Sequence, residues 1–192
     1  MKNIDTIIQE LDLNNHLSFE EIPDLDLYMD QVIQLFENKF AGSKRNNDEK
    51  VLTKTMINNY AKGKLFFPIQ NKKYSKDHLI LISMIYQMKG AFSISDVKTT
   101  LDKLNTKMTE DDFDLQHLYK RYLQLSETNV DMFKEDVQAH KQEVSKEVVK
   151  LEDTDAEYLE QLLMVATLTS MSNYYRRAAE KIVDEIGKEE EV

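Results

Sequence analysis

Cationic and amide side chains between residues 54 and 76 have the chemistry of a surface that binds a polyanion. A lysine ammonium binds a phosphate oxygen as a point charge, and an asparagine amide can make two hydrogen bonds to one adenine. These side chains are Lys54, Asn58, Asn59, Lys62, Lys64, Lys72, Lys73 and Lys76. The set predicts phosphate contacts by the lysines and base-edge contacts by Asn58 and Asn59, although both asparagines could equally face solvent.

The distribution of charge along the chain favours this interpretation. The 192 residues have a formal net charge of −10. Residues 44–107 nevertheless carry 13 Lys and Arg against 5 Asp and Glu, a balance of +8, between two acidic flanks. A basic region in an acidic chain is typical of a nucleic-acid contact surface. The plainer alternative is that Lys72 and Lys73 only keep a β-edge soluble.

Two short helices are predicted to position these groups. Thr53 has the residue type of an N-cap, and Ile57 and Tyr60 follow at helical spacing. Gly63 stops this first helix. Ser75 starts a second, apolar helix after a basic connector. We include Thr53 among the candidate DNA-binding residues because it opens the helix that carries the asparagines.

Aromatic residues in the same region have two interpretations. Their spacing fits the inner face of a small module, which predicts that they form its core. Aromatic rings can also stack on the bases of a single strand. The residues are Tyr60, Phe66, Phe67 and Tyr74. Tyr74 directly follows Lys72 and Lys73, and we include it among the candidate DNA-binding residues.

The order of these segments resembles the winged-helix DNA-binding domain of MerR-type regulators. A short helix, the sequence LFFP, a basic connector, Tyr-Ser and an apolar helix follow one another. The resemblance implies that Thr53 caps the recognition helix, that Ile57 and Tyr60 anchor it, and that residues 72–74 form the wing. Asn58 stands where these regulators usually have an arginine that holds the DNA backbone.

Three stretches of sequence also resemble a bacterial family catalogued only as domain of unknown function 1836. They are LYMDQV from Leu27, LTKTMINNYAK from Leu52 and KYSKDHL from Lys73. This resemblance covers roughly residues 20–110, about the size of one domain. It implies membership of that family but no particular activity.

The rest of the chain is predicted to be helical, because Gly and Pro number only 4 and 2. Ser18 and Glu21 have the spacing of a capping box. His140 interrupts the apolar seam between Val130 and Leu151. The apolar periodicity predicts helices over residues 4–11, 27–40, 112–125, 130–151 and 154–187.

The last of these helices has apolar residues over too wide an arc for a helix with one solvent-facing side. It is therefore predicted to be packed between other helices on more than one side. Its partner could be the preceding helix, the second subunit of a dimer, or both. The same apolar surface permits either a ligand cavity or a closed core, so an effector ligand stays unknown.

Motifs for catalysis are missing from the sequence. It contains no phosphate-binding glycine loop, nucleophile elbow or HExxH motif, so we expect no enzyme activity and no cofactor. His117 and Asp114, with the acidic residues 110–112, could in principle ligate a metal. An acidic helix start, which the helix macrodipole favours, is the preferred interpretation, because a metal site needs convergent ligands. His78 could face a phosphate or be a half-exposed residue of a first helical turn.

The composition predicts a cytoplasmic protein. Zero Cys excludes disulfides and thiolate metal sites and is compatible with a reducing compartment. No apolar run reaches the roughly 18 residues that a membrane span needs, and the N-terminus has no apolar core of secretory length.

Together these patterns predict a predominantly helical, all-α protein with a MerR-like winged helix-turn-helix module and a C-terminal helical hairpin. The predicted segments are 1–20, 21–108 and 109–192. The function that they favour is binding of double-stranded DNA by a homodimer, as a transcriptional regulator. The alternative is a protein–protein adaptor that uses the winged helix as a scaffold.

Overall fold

The computed structural model describes residues 4–46, 48–110 and 113–189, and the prediction of a predominantly helical fold is confirmed. These residues form seven α-helices and one two-stranded sheet. The helices are α1 Ile4–Glu10, α2 Met29–Lys39, α3 Lys54–Lys62, α4 Lys76–Met88, α5 Ile94–Glu110, α6 Leu115–Val149 and α7 Ala156–Glu189. The strands are β1 Leu27–Tyr28 and β2 Lys73–Tyr74, and a 3₁₀ turn spans Ala41–Ser43.

The chain divides into two compact units. Of the described residues, the first unit contains 4–14 and 125–179, and the second contains those between 15 and 124 together with 180–189. The three segments predicted from the sequence stay a prediction. Among the described helices, none combines the length and the apolar character that crossing a bilayer requires.

The core of the second unit surrounds α4. This helix is buried on several sides, at Leu79, Ile80, Leu81, Ile82 and Ile85, because its sequence is apolar nearly all round. A buried hydroxyl links the loop that contains Leu17 to this core. Tyr119 donates a hydrogen bond to the carbonyl oxygen of Leu17 at 2.6 Å, and burial raises the pKa of Tyr119 to about 12.

The segment before α2 differs from the prediction. Ser18 and Glu21 make both hydrogen bonds of a capping box, at 2.8 and 3.3 Å, but no helix follows them. The helix predicted from residue 27 begins at Met29. Leu27 and Tyr28 instead pair antiparallel with β2. A two-residue strand whose partner lies far along the chain leaves no periodic signal of its own.

The first unit is a helical hairpin with α1 packed on it. Its buried apolar residues are Ile4, Ile8, Val137, Val144, Val148 and Met164. The predicted seam is thus confirmed at Val137, Val144 and Val148. The two helices predicted over 112–125 and 130–151 are one, α6, because the residues between them include no Gly or Pro to end a helix. Asp111 and Asp112 lie outside the described residues.

Candidate nucleic-acid interface

Helix α3 presents two asparagines to solvent. The hydroxyl of its N-cap, Thr53, accepts a hydrogen bond from the N–H of Met56 at 3.2 Å. Ile57 and Tyr60 are buried and hold the inner side of the helix in the core. The predicted cap and both anchors are therefore confirmed. The candidate residues on the exposed side of α3 are Lys54, Asn58, Asn59 and Lys62.

The turn after α3 holds Lys64 in the left-handed backbone conformation. Its φ is 56°, whereas Gly63, predicted to stop the helix, has φ −74°. Lys64 N–H donates to Ala61 O at 3.1 Å and Leu65 N–H donates to Tyr60 O at 3.0 Å, the bonds of a Schellman motif. Glycine is the usual residue at the left-handed position, because a Cβ there crowds the backbone. The helix ends as predicted, but the exposed Lys64 occupies this position.

A tight turn carries Lys72 at its tip. The N–H of Lys73 donates to Gln70 O at 2.9 Å, and Asn71 and Lys72 have φ of 50° and 59°. Two consecutive positive φ angles inside such a bond define a type I′ turn, whose twist suits an antiparallel hairpin. Asn tolerates this conformation, but Lys does so at a cost. The predicted basic connector is therefore an ordered turn with Lys72 exposed.

The strand after this turn adds a residue that the sequence prediction missed. Lys73 and Tyr28 are opposite each other in the β1–β2 register, and Lys73 Nζ lies 5.2 Å from the centroid of the Tyr28 ring. The Tyr28 side chain is 55% exposed. The periodicity had placed it inside a helix, and only the pairing with β2 brings it beside the basic turn.

Tyr74 has to be removed from the set of candidate DNA-binding residues. Its side chain is only 1% exposed, and its ring packs edge-on against Phe66 and His78 at 6.1 and 6.0 Å between centroids. Burial also raises the pKa of the Tyr74 hydroxyl. The core interpretation of Tyr60, Phe66 and Tyr74 is the correct one, since all three are buried.

Two of the candidate lysines are already paired with acids. Lys54 lies 2.8 Å from Asp30, and Lys76 lies 2.6 Å from Asp24. Lys76 Nζ also lies 3.9 Å from the centroid of the Phe19 ring. These acids belong to the acidic N-terminal flank, so counting charge along the sequence overstates the positive charge of the folded surface. Lys62, Lys64 and Lys72 make no ion pair with any residue that the structure describes.

All of the candidate residues lie inside the region that a comparison with known protein families identifies. The sequence profile described as Domain of unknown function (DUF1836) matches residues 17–122, more than half of the chain. The chain belongs to this family. Comparisons with curated proteins and with solved structures found no significant match. The DUF1836 description names no activity, and the likeness to MerR-type regulators stays a prediction.

In this DUF1836 chain, His78 joins the end of β2 to the segment that follows α3. Ser75 N–H donates to His78 Nδ1 at 3.1 Å, and Nε2 lies 3.1 Å from Phe67 O. An accepting Nδ1 and a donating Nε2 define the neutral Nε2–H tautomer. The ring also packs on Phe67 with 4.0 Å between centroids. The prediction of a half-exposed His78 is wrong, because its side chain is 3% exposed.

The buried His78 makes the stability of the fold depend on pH. Burial lowers the pKa of His78 below 6.5, although the Phe67 carbonyl and the carboxylates of Asp77 and Asp26 oppose this shift. The unfolded chain therefore binds a proton at a pH where the folded chain does not. We expect the free energy of unfolding to fall as the pH drops below about 6.5. Urea unfolding at several pH values between 8 and 5 would measure this loss.

The matched variant for this experiment is His78→Gln. Glutamine can keep the capping-box bond to Ser75 without titrating, so the fall in stability should be smaller than in the wild type. It should not vanish, because burial and Lys39 also lower the pKa of His16. Glu21 and Glu37 have pKa values lowered from 4.5 and act only at lower pH. The same pH dependence in both proteins would contradict the assignment to His78.

The structure shows no metal centre in its described residues, since no group of three or more metal-ligating side chains converges there. The Asp114 carboxylate instead accepts a hydrogen bond from His117 N–H at 2.8 Å, at the start of α6. That bond is the one expected of an acidic helix start.

Proposed function

We propose that the chain binds double-stranded DNA as a homodimer and acts as a transcriptional regulator. In this proposal α3 enters the major groove, Asn58 and Asn59 contact base edges, and Lys62, Lys64 and Lys72 contact phosphates. Lys54 and Lys76 contribute less than the sequence suggests, because each is held by an aspartate.

The observation that carries this proposal is the placement of Lys64 and Lys72. Both are exposed and left-handed, and neither has an ion-pair partner among the described residues. A lysine in the left-handed backbone conformation costs about 1–2 kcal/mol of backbone strain, and a glycine there would avoid that strain. Lys64 precedes and Lys72 follows the Phe66–Ile69 segment in the chain. The presence of two lysines at strained backbone positions indicates that their positive charges serve in binding.

The left-handed conformation alone would not support a binding surface. Asp12 and Glu152 are left-handed too, but they are acidic. The proposal rests on the combination of backbone strain, positive charge and solvent exposure, which Lys64 and Lys72 share.

The homodimer is proposed from the exposed apolar surface of α7. Tyr158, Leu162 and Val165 are 61%, 47% and 64% exposed, and their spacing of four and three residues places them in one stripe. Contiguous apolar patches of this kind mark association surfaces. The packing on more than one side that is predicted for the last helix would then be supplied in part by the second subunit.

A protein–protein adaptor is the second candidate function. Two observations favour it: the same apolar stripe, and the neutralisation of Lys54 and Lys76 by Asp30 and Asp24. In this case the basic turn would meet an acidic partner protein instead of DNA.

Salt dependence of duplex binding tests the proposed function. Phosphate contacts release counterions, so the affinity of the full chain for duplex DNA should fall roughly ten- to a thousandfold between about 50 and 200 mM salt. Fluorescence anisotropy with labelled duplexes from the protein's own locus and of random sequence would measure it. The absence of binding to any duplex at low salt would reject DNA binding and favour the adaptor.

A further inference from the structure

Tyr28 is an exposed aromatic residue on the outer side of the small sheet. The β1–β2 register pairs Leu27 with Tyr74 and Tyr28 with Lys73. Leu27 and Tyr74 are both buried, whereas Tyr28 is 55% exposed. Successive residues of a strand face opposite sides, so one pair closes the core and the other faces solvent.

The position of Tyr28 is set by three contacts. Its backbone pairs with Lys73, its N–H donates to the side-chain oxygen of Gln31 at 2.8 Å, and its ring lies 5.2 Å from Lys73 Nζ. The phenol hydroxyl makes no hydrogen bond to any described residue. An ordered ring with a free donor beside a lysine is suited to hold an anionic oxygen.

We infer that Tyr28 is a further DNA-contacting residue, whose hydroxyl donates a hydrogen bond to a phosphodiester oxygen that Lys73 also approaches. The inference rests on the proposed function. Tyrosine is among the side chains that contact the DNA backbone, and such contacts carry no sequence information. Asp30, in the first turn of α2, would repel a phosphate, but Lys54 lies 2.8 Å from its carboxylate and offsets that charge.

The variant Tyr28→Phe isolates the hydroxyl. It keeps the ring and its contact with Lys73, and it removes no charge. The affinity of the full chain for duplex DNA should fall by roughly tenfold, the size of one hydrogen bond to a charged group. The loss should be equal on two unrelated duplexes. The slope of log affinity against log salt should not change, because that slope counts neutralised phosphates.

The matched control is Tyr174→Phe, which removes the hydroxyl of another exposed tyrosine, on a side of α7 away from the stripe of Tyr158, Leu162 and Val165. It should bind DNA as the wild type does. If Tyr28→Phe binds as tightly as the wild type, the hydroxyl contact is excluded, and an effect of Tyr28→Leu alone would then indicate stacking on a base. A changed salt slope, or an equal loss in Tyr174→Phe, would also overturn the inference. Failure of the wild-type chain to bind any duplex would instead reject the proposed function.

Discussion

The double variant Lys64→Gly, Lys72→Gly is expected to fold more stably than the wild-type chain and to bind duplex DNA more weakly. The two effects have separate causes. Glycine removes the strain of two left-handed lysines, at φ 56° and 59°, and the loss of two ammonium groups removes two phosphate contacts. Few substitutions at a surface are expected to change stability and binding in opposite directions.

The sizes of both effects can be bounded. Relief of the left-handed strain, about 1–2 kcal/mol per residue, is partly offset by the greater freedom of glycine in the unfolded chain, so the net gain should be on the order of 0.5 kcal/mol per position. The log–log salt slope of DNA binding should decrease by about 2. At about 100 mM salt this corresponds to a roughly ten- to hundredfold loss of affinity. Urea unfolding and anisotropy titrations would measure the two quantities.

Asn71→Gly is the control for backbone strain. Asn71 is also left-handed, at φ 50°, and lies beside Lys72 in the same turn. Its replacement changes the conformational preference without changing the charge, so it should leave DNA binding unaltered. Glu152→Gly also replaces a residue in the left-handed backbone conformation, in the connection between α6 and α7, but it removes a negative charge as well. If the double variant is folded and binds DNA with wild-type affinity and salt slope, Lys64 and Lys72 do not contact phosphates.

The double variant Leu162→Glu, Val165→Glu is expected to convert a dimeric protein into a folded monomer. Both side chains are exposed in the single chain, at 47% and 64%, so the substitutions should not disturb its core. In a dimer they would bring unpaired carboxylates into an apolar interface. Several kcal/mol of desolvation penalty would follow, and each 1.4 kcal/mol weakens association tenfold.

Light scattering on the intact chain at micromolar concentration would measure this change, with circular dichroism to verify the helical content. Ala178→Glu is the matched control, since Ala178 is also exposed on α7 but lies on another side of the helix. It should remain dimeric. A monomeric wild type, or a double variant that still dimerises, would remove α7 as the dimer interface.

The local features of the candidate interface can be predicted from the order of residues alone. Thr53 and Ser75 act as N-caps, and Ile57 and Tyr60 anchor α3, as their types and spacing indicate. These features depend on residues within one or two helical turns, so the order of residues is enough to specify them. Membership of the family was also predicted from three short stretches of sequence, and the profile match over residues 17–122 confirms it.

Which of the candidate side chains are accessible to a ligand depends on contacts between segments that are distant in sequence. Tyr74 is buried because β2 pairs with β1, and Lys54 is paired because Asp30 lies on α2. The partners in both cases are distant in sequence, and strand pairing and ion pairing across such distances depend on how the whole core packs. The left-handed backbone conformation of Lys64 and Lys72 could not be predicted from the sequence for a related reason. Residue type favours Gly or Asn at such positions, and only the packing of the surrounding segments forces a lysine to adopt it.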